Sequence, residues 1–541
     1  QGFNVAVCSK NGWTTDEVSD SIKHYYQTMD NLEYVLLVGD NESLPAYSYQ
    51  LGSSNEDNCL TDYLYAYMDS DDEADLYIGR LPIYKLSTAQ YLVDKIVEYE
   101  TNPPVNEDFY DKAMHATYFQ TDGKNLSKES RRFVHTSEMV RDYMMQQGKT
   151  VNRVYCAESE ANPLTYSDNS AVPEELQRDN FAWNGDSSDL ISEINAGRFY
   201  ILHRDHGSNK GWTHPSFTVS DVPLLSNGKL QPIVFSINCA SGDFSQTNLA
   251  TSLLSVQNGG SVGVFAATGN TYSKLNDVMA LGMFNAIYPS PGLNTIMKQK
   301  CANNQISIDS VIPVYTLGEI LSAGKMAMRE SYDNGTSQSS KKSLDVNLLR
   351  FHVFGDPSMM MYTAAPREFT DDEIKVSRVD YSNQYLTACR LTITVNNDED
   401  TYIVQHNTSD GTSVRYKCQN GAFTCIASTS TTIYVYGHNR LPMTIPGYVE
   451  DSTTSTTAIA TMTLAPNPTV SSCTLTIDAD DAMNGLQAVI FDFNGNQVAT
   501  VAIADESDVT TIDTSSLKSG QYFVCLMQNG VKLDSKTLIV R

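Results

Sequence analysis

The chain is poor in positive charge: 37 Lys and Arg stand against 64 Asp and Glu, a formal balance of −27 over 541 residues. Such a field repels polyphosphates, so nucleic acid is not an expected partner. Long apolar runs are missing too. The best candidates, Pro232–Ile237 and Val262–Ala267, are of strand length, short of the ~18–20 residues of a membrane helix, and no transmembrane segment is expected. The ten cysteines, at 8, 59, 156, 239, 301, 389, 418, 425, 473 and 525, lack the short paired spacings of a structural zinc site. The opening Gln1-Gly-Phe-Asn-Val has neither the basic stretch nor the apolar core of a signal peptide, so an export signal is expected to lie before this start and to have been removed or left out. There is no fixed-period repeat.

What is present is material for several cores. Hydrophobic residues make up 41% of the chain and tyrosine is frequent at 31, and the length predicts roughly three to five structural units. Frequent Asn, Ser, Thr and Tyr with few Lys suit an extracellular or envelope protein. Up to about residue 365, apolar runs at Phe3–Cys8, Tyr34–Val38, Phe199–Leu202, Ile233–Asn238 and Ser261–Ala266 alternate with helical stretches such as Thr15–Met29 and Ser187–Ala196. The second helix is read as starting at a Ser cap and stopping at Gly197. That alternation predicts an α/β region built on a parallel sheet. Beyond Pro357 the texture becomes period-two runs, such as Leu391–Val395 and Thr432–Tyr436, with no helix, which predicts two all-β modules. A Ser/Thr-rich linker at 451–463 separates them.

In an open α/β sheet the carboxyl ends of the strands face one crevice. Two strand ends carry chemistry: His206-Gly207-Ser208 follows one apolar run, and Cys239-Ala-Ser-Gly-Asp follows another. An imidazole beside a thiol supplies the thiolate nucleophile, and the backbone N–H groups of Gly207 and Cys239 would form an oxyanion hole. The same residues also suit a buried strand cysteine and a loop histidine. A zinc site through His203, His206 and His214, or Ser208 or Ser241 as nucleophile, is a weaker alternative for want of matching spacing.

Tyr34-Val-Leu-Leu-Val-Gly-Asp40, Tyr77-Ile-Gly-Arg80, His206-Gly-Ser, Cys239-Ala-Ser-Gly-Asp-Phe244 and Val353-Phe-Gly-Asp-Pro357 occur in the order seen in gingipains. Residues 1–365 resemble these secreted cysteine endopeptidases of caspase-haemoglobinase fold. The resemblance implies an N-terminal α/β subdomain over 1–100, entered after its first β-α unit, and a catalytic caspase-like subdomain over 101–365. Cys239 would be the nucleophile, His206 the general acid/base and Gly207 the second oxyanion donor. Asp122, in the loop after the strand Ala113–Gln120, would orient the imidazole.

The resemblance further implies a structural calcium held by Asp40, Asp69, Asp71 and Asp75 with the carbonyl of Glu73, and no organic cofactor. Two departures stand out. Asp205 replaces the residue before the catalytic His, and Arg132 falls where arginine-specific members carry the aspartate of the specificity pocket, so an acidic or small polar P1 side chain is expected. Residues 366–450 would be an immunoglobulin-like sandwich. Residues 464–541 resemble the sorting domain read by the type IX secretion system, through Pro466-Asn-Pro468, Val489–Asn496, Leu517–Phe523 and Lys536–Arg541. The expected protein is a secreted or surface-attached cysteine endopeptidase of a Gram-negative bacterium, acting on protein or peptide substrates. An inactive protease-like adhesin, or a cysteine amidase or transpeptidase on the same fold, is the alternative.

Overall fold

The computed structural model describes residues 2–541 apart from 30, 51–57, 72, 291, 294–311, 333–337, 383–386, 398, 448–459, 480–484, 494, 505–506 and 529–530. Two compact units emerge, residues 6–366 and residues 1–5 with 367–541.

The first unit is built on one eight-stranded sheet: β1 (Tyr34–Val38), β2 (Tyr77–Leu81), β3 (Lys112–Phe119), β4 (Thr150–Ala157), β5 (Tyr200–Arg204), β6 (Ile233–Ser236), β7 (Gly263–Ala267) and β8 (Phe351–Phe354). The spatial order is β1-β2-β8-β7-β6-β5-β3-β4. Every pair is parallel except β7 with β8, so the expected parallel sheet is a mixed one, with three strands reversed against the other five. Strands buried on both faces read as continuous apolar runs. Along β6, Ile233 and Phe235 enter one core while Val234 enters the core on the opposite face.

Among the helices of this unit are α1 (Thr15–Thr28), α2 (Phe133–Gln146), α3 (Ser187–Asn195), α4 (Ser273–Ile287) and α5 (Gln338–Arg350), of which α2, α4 and α5 carry residues near the site. A capping box between Thr14 and Glu17 starts α1. The cap of α3 is Asp186 rather than Ser187, its carboxylate accepting from the N–H groups of Ser188 and Asp189, and Gly197 follows with φ +85°. Phe3–Cys8 forms no strand. Val5 and Val7 are 78% and 83% exposed, and an apolar run with nothing to bury it has no reason to extend a sheet.

The second unit contains two modules, each of a three-stranded and a four-stranded antiparallel sheet. In the first, Cys389, Leu391, Ile393 and Val395 alternate into a core with Ile403, Phe423, Ile433 and Val435. The second buries Leu475, Ile477, Ala488, Ile490, Val524 and Leu526 in the same period-two manner. The expected linker lies outside the described residues as far as 459. Ala460 already begins a strand.

Candidate active site

The run Tyr200–Arg204 ends where Asp205 and His206 leave the sheet, and the neighbouring parallel strand β6 ends at Ser236, three residues before Cys239. Both turns therefore emerge at the same end of the sheet. They also touch: a Cβ added at Gly207 would lie 2.5 Å from Asn238 Oδ1 and 2.7 Å from the carbonyl oxygen of Cys239. Glycine is required there because the two turns pack backbone to backbone. His206 and Cys239 make no hydrogen bond with one another among the described residues. Such contacts are often long before substrate binds.

A buried polar network sets the cysteine turn. Asn238 Nδ2 donates to His203 Nδ1 (2.8 Å) and to Ser236 Oγ (2.8 Å), while His203 Nε2 donates to the carbonyl of His214 (3.2 Å). Burial holds the His203 imidazole well below its ordinary range, so it is the neutral tautomer that this pattern of one donor and one acceptor requires. His203 and His214 are thus structural, and the zinc reading through them loses its basis. Ser236 Oγ also receives the indole N–H of Trp212 (2.8 Å) and bonds Ser241 Oγ (2.9 Å), which occupies the hydroxyl of Ser241. Directly after the cysteine, Ala240 adopts φ +53°. A non-glycine residue in this region marks a sharply turned, held backbone, a form of strain that collects at functional sites.

Cys239 Sγ accepts the backbone N–H of Thr271 at 3.3 Å and lies 3.6 Å from its hydroxyl. Thr271 belongs to the loop after β7. Among the described residues the N–H of Cys239 has no hydrogen-bond partner. Thr213 N donates to His206 O at 3.1 Å and Ser208 pairs with Gly211, so Gly207 and Trp212 form the pair between hydrogen-bonded rungs, and the Gly207 N–H points out of its hairpin.

The imidazole partner differs from the expected one. His206 Nε2 donates to Gln120 Oε1 at 3.0 Å, and the ring sits edge-on to Phe133, centroids 5.3 Å apart. Asp122 is exposed, and its Oδ1 accepts the N–H groups of Lys124 (2.9 Å) and Asn125 (2.8 Å), which hold its carboxyl below the usual carboxylate range. An Asp-Gly turn consumes that carboxylate locally, two residues beyond the side chain that reaches the histidine. Asp205 is buried with its Oδ2 3.2 Å from His214 Nδ1.

Arg132 stands at the N-cap position of α2 without a side-chain capping bond, next to the phenylalanine against His206. Its Nε lies 3.6 Å from Asp277 Oδ2. The other oxygen of Asp277 binds Arg204 and the hydroxyl of Thr136. Arg204 is fully buried, stacks over Phe133 (5.2 Å) and donates to the carbonyl of Ile237 (2.7 Å). One carboxylate therefore serves two guanidinium groups. Beside them, Glu129 Oε1 accepts the Val134 N–H (2.8 Å) at the start of α2, and burial pushes the Glu129 carboxyl up to about 8.

The acidic run does not converge as expected. In the in-register pair β1–β2, Tyr34 faces Tyr77 and Val38 faces Leu81. Asp40 follows β1 at one end of the pair, whereas Asp69–Asp75 precede β2 at the other. Five-residue strands set the two ends ~13 Å apart, well beyond the reach of donors that must meet a cation at ~2.4 Å. Asp40 instead accepts from the Ser43 N–H and hydroxyl (2.8 and 2.6 Å). Asp69 and Asp71 accept N–H groups two residues on (both 2.9 Å), Asp75 accepts Met68 N–H (2.8 Å), and the Glu73 carboxylate pairs with Arg329 (2.9 Å). Asp72 lies outside the described residues.

A family model described as Peptidase family C25 matches residues 2–362. The chain belongs to peptidase family C25. A second model, the secretion system C-terminal sorting domain, matches residues 463–541, so the final module is an export address and the protein is secreted or held at the outer-membrane surface. Gingipain R2 of Porphyromonas gingivalis is 23% identical over 495 residues, covering 90% of this chain and 58% of its own length. Gingipain R1 of the same organism is 23% identical over 389 residues, 69% of this chain and 33% of the relative. The chain thus spans 58% or less of these relatives. A crystal structure of the Arg-specific cysteine proteinase gingipain R aligns with a TM-score of 0.59 at 20% identity, over 81% of this chain and 88% of that one. In this C25 chain, sequence reasoning missed Gln120, Thr271 and Asp277. The strand-end rule that led to His206 and Cys239 also leads from the Ser261–Ala266 run to Thr271.

Proposed function

We propose that the protein is a cysteine endopeptidase that cleaves peptide bonds through Cys239 and His206. The observation that carries this reading is the packing of the His206–Gly207 turn against the carbonyl of Cys239, at the shared carboxyl end of two parallel strands in a family C25 chain. With Nε2–H committed to Gln120, Nδ1 is the nitrogen that takes the thiol proton. Sγ attacks the scissile carbonyl, the N–H groups of Gly207 and Cys239 receive the oxyanion, and His206 returns the proton to the leaving amine. Water then hydrolyses the thioester with His206 as base.

Arg132 and Arg204 share Asp277, and Arg132, the more exposed of the two, presents its guanidinium on the wall beside His206. A cationic P1 side chain is disfavoured there and an acidic or small polar one is accepted. Among the described residues no group of three or more acidic, His or Cys side chains is placed to hold a metal ion, so calcium enters this reading only as a weak stabiliser near Asp69, Asp71, Asp75 and the carbonyl of Glu73; the chemistry does not pass through it. The secretion machinery is the partner of the sorting module.

The test is cleavage of peptides varied at P1 by the full chain, alongside Cys239→Ala. Cleavage lost in that variant supports the reading; no cleavage by folded protein under any reducing condition sinks it. A strong preference for Arg at P1 would overturn the role of Arg132.

A further inference from the structure

A chain of buried amides runs from α5 to the sulfur of Cys239. Asn347, fully buried on α5, accepts the Tyr272 N–H at Oδ1 (2.9 Å) and donates from Nδ2 to Asn276 Oδ1 (2.8 Å). Asn276, buried on α4, donates from Nδ2 to Thr271 Oγ1 (2.8 Å). The Thr271 hydroxyl donates to the carbonyl of Asn238 (3.2 Å), and its N–H reaches Cys239 Sγ. Arg350 at the end of α5 binds the carbonyl of Asn270, and its own carbonyl accepts the Thr268 N–H (2.8 Å). The loop 268–272 is therefore gripped at both ends by α5 and in the middle by α4.

We propose that the Thr271 N–H is the donor that stabilises the Cys239 thiolate, with Asn276 and Asn347 as positioning residues that hold it on the sulfur. This deepens the peptidase reading and rests on Cys239 being its nucleophile. The physical ground is directional. A backbone N–H cannot turn to follow a charge, so its value to an anion depends on how firmly the loop is held, and a held donor costs no reorganisation when the charge appears. Hydrogen bonds to charged groups are the strong ones. Each amide in the chain uses its oxygen as acceptor and its nitrogen as donor, so losing one link leaves a buried partner unsatisfied and frees the loop.

The test is alkylation of the full chain by iodoacetamide across pH 5–9, with modification at Cys239 followed by peptide mass spectrometry and the exposed Cys8 as internal reference. Thr271→Val removes the hydroxyl that Asn276 grips while keeping volume and backbone. Asn276→Ala removes the grip itself. Both are expected to slow Cys239 alkylation relative to Cys8 by about ten-fold below neutral pH and to move its pH profile upward. Thr271→Ser, which returns the hydroxyl, recovers most of the loss. An unchanged profile in either variant, with melting within ~3 °C of the parent, overturns the proposal. If Asn276→Ala does not fold, Thr271→Val decides. A profile that shifts in a protein without peptidase activity refutes the peptidase reading and leaves this one; cleavage without a shift does the reverse.

Discussion

Two buried arginines on one sheet are treated in opposite ways. Arg80, near the carboxyl end of β2, is saturated: Nε and Nη2 grip Asp62 at 2.7 and 2.6 Å, and Nη1 donates to the carbonyl oxygens of Gly39 (2.9 Å) and Leu44 (2.8 Å). Arg204, at the opposite end of the sheet, shares its carboxylate with Arg132, and its Nε has no hydrogen-bond partner among the described residues. Where each donor has its own acceptor the network is scaffold, tying the Val-Gly-Asp loop to the sheet. Where one acceptor serves two cations the pairing is looser, with Arg132 Nε 3.6 Å from its oxygen.

The largest effect should come from breaking the saturated end. Asp62→Ala leaves the Arg80 charge buried without its partner and should cost about 3–5 kcal/mol, read as a lower denaturation midpoint at unchanged m-value. A loss under about 1 kcal/mol would mean that the carbonyl groups alone satisfy Arg80 and that the two ends differ less than their geometry indicates.

That contrast also explains what the sequence made legible. Apolar runs marked four sheet strands or their parts, and the glycine-flanked ends of two of them marked His206 and Cys239. Those signals are local. Asp122 and Asp40 are drawn into their own turns, as a carboxylate beside a turn readily is, and only the register of β1 with β2 shows that Asp40 follows the pair at the end away from Asp69–Asp75. Gln120 and Asn276 carry no charge and belong to no motif. Gln120 matters because a strand 86 residues away in the chain brings it to an imidazole, and Asn276, only five residues from Thr271, because Asn347, 71 residues on, holds it in place. Asp277 lies 73 residues from its closest partner, Arg204, and nothing near it in the sequence announces the pairing.

At the unsaturated end the next effect is pH-linked. The Glu129 carboxyl is raised to about 8 from an ordinary 4.5 by burial, against the pull of the Val134 and His135 N–H groups. A raised folded value means that the folded state binds the proton more tightly. The stability it contributes is full below about pH 4.5 and is lost as pH rises through about 8, on the order of a few kcal/mol across that window. Glu129→Gln keeps the acceptor for Val134 and cannot ionise, so its midpoint should be flatter across that range. An identical slope in both proteins would show that Glu129 is not the group being titrated.

Smaller still is the effect of the imidazole partner. Gln120→Ala removes the acceptor from Nε2 without touching the thiol, and should lower kcat about ten-fold with KM little changed, the mark of an interaction that matters to proton transfer rather than to binding. An equal rise in KM instead would place Gln120 against the substrate.

The smallest effect belongs to calcium, for a reason visible in the register of β1 and β2. With Asp40 at the far end of the strand pair, the remaining donors lie in one exposed loop whose carboxylates already cap their own N–H groups. An ion there would gather oxygens that water solvates well, and would link no two elements of the sheet. Millimolar calcium against chelator should therefore raise the melting temperature by only about 2 °C, corresponding to about 1 kcal/mol or less, and the double substitution Asp69→Asn with Asp71→Asn should abolish the rise. A shift of ten degrees or more would mean that the ion draws distant carboxylates together and that the loop geometry changes around it. No shift would return the run to a solvated acidic loop, leaving the contrast between Arg80 and Arg204 as the main electrostatic asymmetry of the sheet.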